Sequence, residues 1–189
     1  MKKTITLISL ITLISFTRLS AQSEAEMKAW QTYMAPGEVH KMMAAYIGEW
    51  SDEITMWMAP GAPPEKTITT SKSEMIMGGR YQVSKSTGTM MGMPFEGMGL
   101  MGYDNAKKVF TSTWIDNFGT GTLTMEGTWD DQTKSITLKG KMVDPMSGKE
   151  VMTKQVIKFI DKDNQVMEMY DNKTGTEVKT MEIKSTRKK

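Results

Sequence analysis

A chain of 189 residues without cysteine can form no disulfide and carries no cysteine for a lipoprotein anchor, so side-chain packing must stabilise its core. Its 24 basic and 22 acidic residues give a formal net charge of only +2, which excludes the strongly basic footprint of a nucleic-acid-binding protein. The length suits one domain of ordinary size.

The first segment, residues 1–21, has the order of a secretory signal peptide. A basic start is followed by an apolar stretch at residues 4–16, which is too short to span a bilayer, and small residues precede Gln22. Cleavage before Gln22 would remove three basic residues and no acid, leaving 21 basic against 22 acidic residues and a net charge of −1. We therefore expect a periplasmic or secreted protein with no membrane span after removal of the signal.

A helical segment is predicted next, over residues 22–47. Ser23 can cap a first helix, and Pro36-Gly37 ends it. A second short helix is predicted over residues 38–45, and the two helices would cover one end of the domain that follows. The apolar positions of the first helix, at helical spacing, are Met27, Trp30 and Met34.

From residue 48 to residue 189 the apolar pattern changes to a period of two, which is typical of strands. Short turns rich in Gly, Asp and Asn separate the β-rich segments, and no helical pattern interrupts them. We predict a mainly β fold, an antiparallel up-and-down barrel of about ten strands with one or two short N-terminal helices. A β-sandwich is the alternative, but it needs longer crossing connections. The predicted strands are 49–58, 66–77, 80–89, 95–103, 108–116, 122–129, 135–143, 150–160, 165–170 and 177–186.

Gly48-Glu49-Trp50, at the start of the first strand, resembles the Gly-x-Trp signature of lipocalins and their calycin relatives. The glycine lets the chain turn tightly into the barrel, and the tryptophan plugs one end of the lumen. In those folds a basic residue of the last strand packs over the tryptophan. The resemblance therefore implies that Gly48, Trp50 and Arg187 close the barrel.

Segments along nearly the whole predicted mature chain resemble the bacterial domain-of-unknown-function family numbered 1579. The resemblance implies a calycin-like barrel and frequent export, but no activity and no catalytic residues. The segments are Met34-Ala35-Pro36-Gly37-Glu38, Ile47-Gly48-Glu49-Trp50, Pro60-Gly61-Ala62-Pro63-Pro64, Gly78-Gly79-Arg80-Tyr81, Gly92-Met93-Pro94-Phe95-Glu96-Gly97, Gly102-Tyr103-Asp104-Asn105, Ser112-Thr113-Trp114-Ile115-Asp116-Asn117 and Val166-Met167-Glu168-Met169-Tyr170.

Candidates for catalysis or for a resident cofactor are few. His40 is the only histidine, it lies on a predicted surface helix, and no Gly-x-Ser-x-Gly elbow accompanies it. Zinc needs several Cys or His ligands, and the haem-binding calycins use a histidine on a strand, whereas His40 precedes the strands. We predict no catalytic residue, no metal and no cofactor.

Methionine is unusually frequent, with 21 residues, and it forms four Met-x-Met pairs. Such a pair on a strand points both thioethers to one face, where soft sulfur ligands could bind Cu(I). We favour the other interpretation, that methionine fills an irregular and adaptable interior. The pairs are Met56/Met58, Met75/Met77, Met91/Met93 and Met167/Met169.

The stretch from Ser112 to Asn117 is the best candidate for a ligand-binding wall. Trp114 and Asp116 share one face of a predicted strand, which would line the lumen with an indole and a carboxylate. In the alternative arrangement, Trp114 packs outside the barrel and Asp116 is an ordinary turn residue. Further lumen candidates are Phe95, Tyr103 and Tyr170.

The leading function hypothesis is an exported protein whose barrel binds a small apolar or amphipathic molecule, without catalysis. One alternative is an enzyme that uses a lumen carboxylate such as Asp116 as acid or base. Another is a structural or interaction module whose lumen is filled by its own side chains. The only predicted partner is the small ligand. We predict no nucleic-acid binding, and the sequence predicts no particular oligomeric state.

Overall fold

The structure, a computed structural model, describes residues 23–59, 61–172 and 175–189; the predicted signal peptide at residues 1–21 lies outside them. Residues 23–34 form helix α1, and Glu38–Ala44 forms helix α2. The bounds of both helices are close to the predicted ones. In α1 the Trp30 and Tyr33 rings meet edge to face at 5.9 Å. Among the described residues no helix is both long and apolar enough to cross a membrane.

The prediction of ten strands is confirmed, with boundaries displaced by three residues or fewer. Each predicted turn separates two strands, because the Gly, Asp and Asn residues of these turns suit tight reversals. The strands are β1 Gly48–Met56, β2 Glu65–Ile76, β3 Tyr81–Met90, β4 Met93–Asp104, β5 Val109–Asp116, β6 Leu123–Asp130, β7 Ser135–Val143, β8 Glu150–Phe159, β9 Asn164–Asp171 and β10 Val178–Arg187.

These strands form a closed antiparallel barrel in which each strand pairs with its sequence neighbours and β1 pairs with β10. The up-and-down barrel is thus confirmed, and the β-sandwich is not the fold. Closure leaves none of the ten described strands at an unpaired edge. At the closing seam Trp50 lies opposite Arg187 and Ile54 lies opposite Ile183.

One end of the barrel is closed by Trp50, whose side chain is 1% exposed. The Arg187 guanidinium carbon lies 4.3 Å from the centroid of the Trp50 ring, and the Tyr46 ring stacks on Trp50 at 6.4 Å. Gly48 has a φ of +117°, a conformation that favours glycine. Arg187 ties this end together through hydrogen bonds to the Asp163 carboxylate and to the backbone carbonyls of Ala45, Ile47 and Lys162.

Helix α2 packs at this same end, where β3 begins and β4 ends. The amide of Gln82 donates a hydrogen bond of 3.1 Å to the backbone carbonyl of Met43. Beneath the helix the lumen is filled by apolar side chains, so this end is a packed core. Its fully buried members are Met43, Phe110, Met125, Ile136 and Leu138.

The expectation that His40 lies on the surface of its helix is wrong, because the side chain is 5% exposed. Its Nδ1 accepts a hydrogen bond of 3.0 Å from the backbone N–H of Gly37, and its ring meets Tyr103 edge to face. Burial, together with the positive charge of Arg80, lowers the pKa of His40. A neutral imidazole is the form that can accept the Gly37 hydrogen bond, so His40 caps α2.

Candidate functional site

A cavity of about 290 Å³ occupies the lumen between the packed core beneath α2 and the opposite end of the barrel. Because successive strands are antiparallel, the β5–β6 connection lies at that opposite end. Phe118, in this connection, lines the cavity and is 38% exposed, so the cavity meets the surface there. The cavity extends from Met43 and Tyr46 near the α2 end to Phe118 at the opposite end.

One wall of the cavity is polar and is built mainly by β2 and β3. Small hydroxyl side chains alternate along both strands, and the period of two points them all inward. None of these hydroxyls has a side-chain hydrogen bond within the described ranges, so all of them can bind a guest. The serine and threonine residues that line the cavity are Thr69, Ser71, Ser73, Ser84, Ser86, Ser112 and Ser185.

Methionine thioethers form much of the apolar lining. Of the four Met-x-Met pairs, Met167/Met169 alone places both side chains in the cavity wall. Met91 and Met93 are exposed instead. Flexible thioethers adapt to ligands of varied shape, which agrees with an adaptable interior. The methionines that line the cavity are Met43, Met90, Met101, Met125, Met167, Met169 and Met181.

Trp114 and Asp116 line the cavity near its open end. The indole Nε1 donates a hydrogen bond of 2.8 Å to Asp116 Oδ2, and the backbone N–H of Phe118 donates to Oδ1 at 3.0 Å. A Cβ added at Gly97 would lie 2.4 Å from the indole, so the ring rests directly on the β4 backbone. The Phe95 ring stacks beside it at 6.5 Å. Trp114 therefore faces the lumen and does not pack outside the barrel.

Two of the predicted lumen residues lie elsewhere. Tyr103 faces inward but lies in the packed core beneath α2, so it does not line the cavity. Its ring centroid lies 5.0 Å from that of Phe110. Tyr170 is on the outer face of β9, because Met169 beside it points into the lumen. The Lys154 ammonium lies 4.2 Å from the centroid of the Tyr170 ring.

Asp52 is a cavity residue that the sequence analysis did not select. Its side chain is 5% exposed and lines the cavity, between Thr69 of β2 and Ser185 of β10 in the sheet register. Its carboxylate has no hydrogen-bond or ion-pair partner in the part of the chain that the structure describes. The signal was present in the sequence, since Asp52 alternates with Trp50 and Ile54 on the buried face of the first strand.

No metal centre is formed by the described residues, among which no three His, Asp or Glu side chains are grouped for coordination. The ionisable acids in the cavity wall are Asp52 and Asp116. The arrangement can therefore enclose a small organic molecule between a hydroxyl-bearing wall and a thioether-rich wall.

Comparison with known sequences and structures agrees with this architecture. The sequence model of a family described as "Protein of unknown function (DUF1579)" matches residues 35–187. The crystal structure of Rv2717c from M. tuberculosis is similar to this chain with a TM-score of 0.56 and 12% sequence identity, covering 82% of this chain and 100% of that chain. At that identity the likeness shows the fold alone. A comparison with curated proteins found no match.

Proposed function

The chain belongs to the DUF1579 family, and we propose that it is an exported protein that binds a small amphipathic molecule in the lumen of its barrel. The observation that carries this proposal is the cavity of about 290 Å³ with two chemically different walls. Ligand pockets are usually concave, largely apolar and equipped with a few polar groups, and they begin at roughly 300 Å³. The hydroxyls of β2 and β3 that line the cavity can exchange hydrogen bonds with a polar ligand.

The geometry favours binding over the two alternatives. A barrel that served only as a structural module would gain stability by filling its lumen, because close packing is the rule in protein interiors. The enzyme hypothesis uses a lumen carboxylate such as Asp116, but both oxygens of Asp116 already accept hydrogen bonds, from Trp114 and Phe118. A carboxylate held in this way is suited to orienting the indole and shaping the cavity wall.

Export is the part of the proposal that rests on the sequence of residues 1–21. N-terminal sequencing of the protein from its own host should begin at or near Gln22, because the small residues before it suit signal peptidase. Recovery of the chain beginning at Met1 as the main species, in the cytoplasm, would contradict export and leave the cavity proposal unaffected.

Binding is tested through Trp114, whose indole forms part of the cavity wall. N-phenyl-1-naphthylamine, a neutral probe that fluoresces in apolar surroundings, should bind the wild-type protein. Trp114→Ala should weaken that binding about tenfold, which corresponds to about 1.4 kcal/mol. Fluorescence titration gives the dissociation constants, and urea unfolding gives the stability of each variant.

Trp129→Ala is a matched control for that experiment. Trp129 Nε1 donates a 2.9 Å hydrogen bond to Asp131, two residues later, just as Trp114 does to Asp116, but Trp129 does not line the cavity. The control should leave the dissociation constant of the probe within about twofold. Equal weakening by both variants, or no binding to the wild type, would overturn the proposed function.

A further inference from the structure

The charges of the cavity are one-sided. Two carboxylates, Asp52 and Asp116, line it, and no lysine, arginine or histidine is among the described residues of its wall. Asp116 is satisfied by the indole of Trp114 and the backbone N–H of Phe118. Asp52 is 95% buried without any partner in the described ranges, so it is the uncompensated anion of the lumen.

Carboxylates in protein interiors are normally paired with a cation or accept several hydrogen bonds. On the inward face of the neighbouring strand β10, the cation next to Ser185 in sequence is Arg187, whose guanidinium donates instead to Asp163 and to backbone carbonyls at the closed end. The described residues therefore supply no cationic partner to Asp52.

We propose that the cavity selects a cationic amphiphile, a protonated amine with an apolar tail, and that Asp52 binds the ammonium group. This rests on the proposed ligand-binding function and names its ligand class. The ammonium would donate a charge-assisted hydrogen bond to Asp52, and the hydroxyls of Thr69 and Ser185, which flank Asp52 in the register, can accept its other protons. The tail lies against the methionines and Trp114 on the apolar side.

The same arrangement discriminates against anions. A carboxylate ligand would bring a second negative charge beside Asp52 in a region of low dielectric constant, where like charges repel strongly. A neutral alcohol of the same length gains a hydrogen bond but no charge attraction. The expected order of affinity is therefore amine, then alcohol, then carboxylate.

The test uses three ligands that differ only in the head group: octylamine, octanol and octanoate. Each displaces N-phenyl-1-naphthylamine from the purified protein at neutral pH, where the amine is positive and the acid is negative. Octylamine should bind at least about ten times more tightly than octanoate. Asp52→Asn keeps the size of the side chain and should abolish the preference for the amine over the alcohol and the carboxylate.

Glu53→Gln is the matched control, because Glu53 is the neighbouring acid on β1 but is exposed. It removes the same unit of charge outside the lumen and should leave all three affinities unchanged. The order of the three affinities in the wild type tests the ligand class even if Asp52→Asn does not fold.

Two outcomes would overturn the inference while sparing the proposed function. One is octanoate or octanol binding as tightly as octylamine in the wild type, and the other is an amine preference that persists in Asp52→Asn. Failure of the probe and of all three ligands to bind would overturn the proposed function itself.

Discussion

Trp50→Ala is expected to lower the free energy of unfolding by about 3–5 kcal/mol, the usual loss when a large buried aromatic side chain is truncated. The indole is 1% exposed and lies against the ring of Tyr46 and the guanidinium of Arg187. Its removal opens a cavity at the seam where β1 meets β10. Urea unfolding followed by far-ultraviolet circular dichroism measures the loss.

Trp57→Ala provides the comparison, since Trp57 follows β1 at the other end of the strand and is only half-buried. The Lys179 ammonium lies 5.4 Å from the centroid of the Trp57 ring, an outer-surface contact worth about 0.5–1 kcal/mol. We expect Trp57→Ala to cost no more than about 1.5 kcal/mol, with the surface burial of the ring included. Similar losses in the two variants would remove Trp50 from its role in closing the barrel.

Gly127→Ala is expected to cost at least about 3 kcal/mol or to prevent folding, the severe end of the range for overpacked positions. A Cβ at Gly127 would lie 1.8 Å from the carbonyl oxygen of Thr137 and 2.8 Å from the Cα of Leu138. These are backbone atoms of β7, so no side-chain rotation can relieve the overlap. The β6–β7 pairing must separate instead, next to the buried core beneath α2.

Gly121→Ala is the matched control, because nothing lies within 4 Å of a Cβ built there and its φ is not in the left-handed region. It should change stability by less than about 0.5 kcal/mol, as surface substitutions usually do. Thermal unfolding of both variants and their yield of soluble protein check the pair. A Gly127→Ala protein as stable as Gly121→Ala would contradict the close approach of β6 and β7.

The candidate site was only partly predictable from the sequence. Alternation correctly grouped Trp114 with Asp116, because a strand places alternate side chains on one face. The same alternation did not predict that Tyr170 lies on the outer face. Strand β9 carries apolar residues on both faces, and periodicity alone does not say which face is inward. The charged Glu168 shares the parity of Tyr170 and was the available signal.

The alternation of apolar and polar residues also does not predict how far along the barrel axis an inward side chain lies. Phe95 and Tyr103 both face inward from β4, yet Phe95 lines the cavity and Tyr103 packs beneath α2. Their difference depends on the tilt of the strands and on the position of the helix. The same is true of His40, whose burial follows from the packing of α2 against the barrel.

By itself the sequence determined the ten strands, their order and the closure of the barrel, because turn residues and period-two alternation act locally and hydrogen bonding removes free edges. Only the tertiary structure decided which inward side chains fill the lumen and which surround an empty space. Asp52 illustrates the reason. The face of the strand on which Asp52 lies is a local property, but its lack of a partner among the described residues depends on the side chains that nine other strands bring around it.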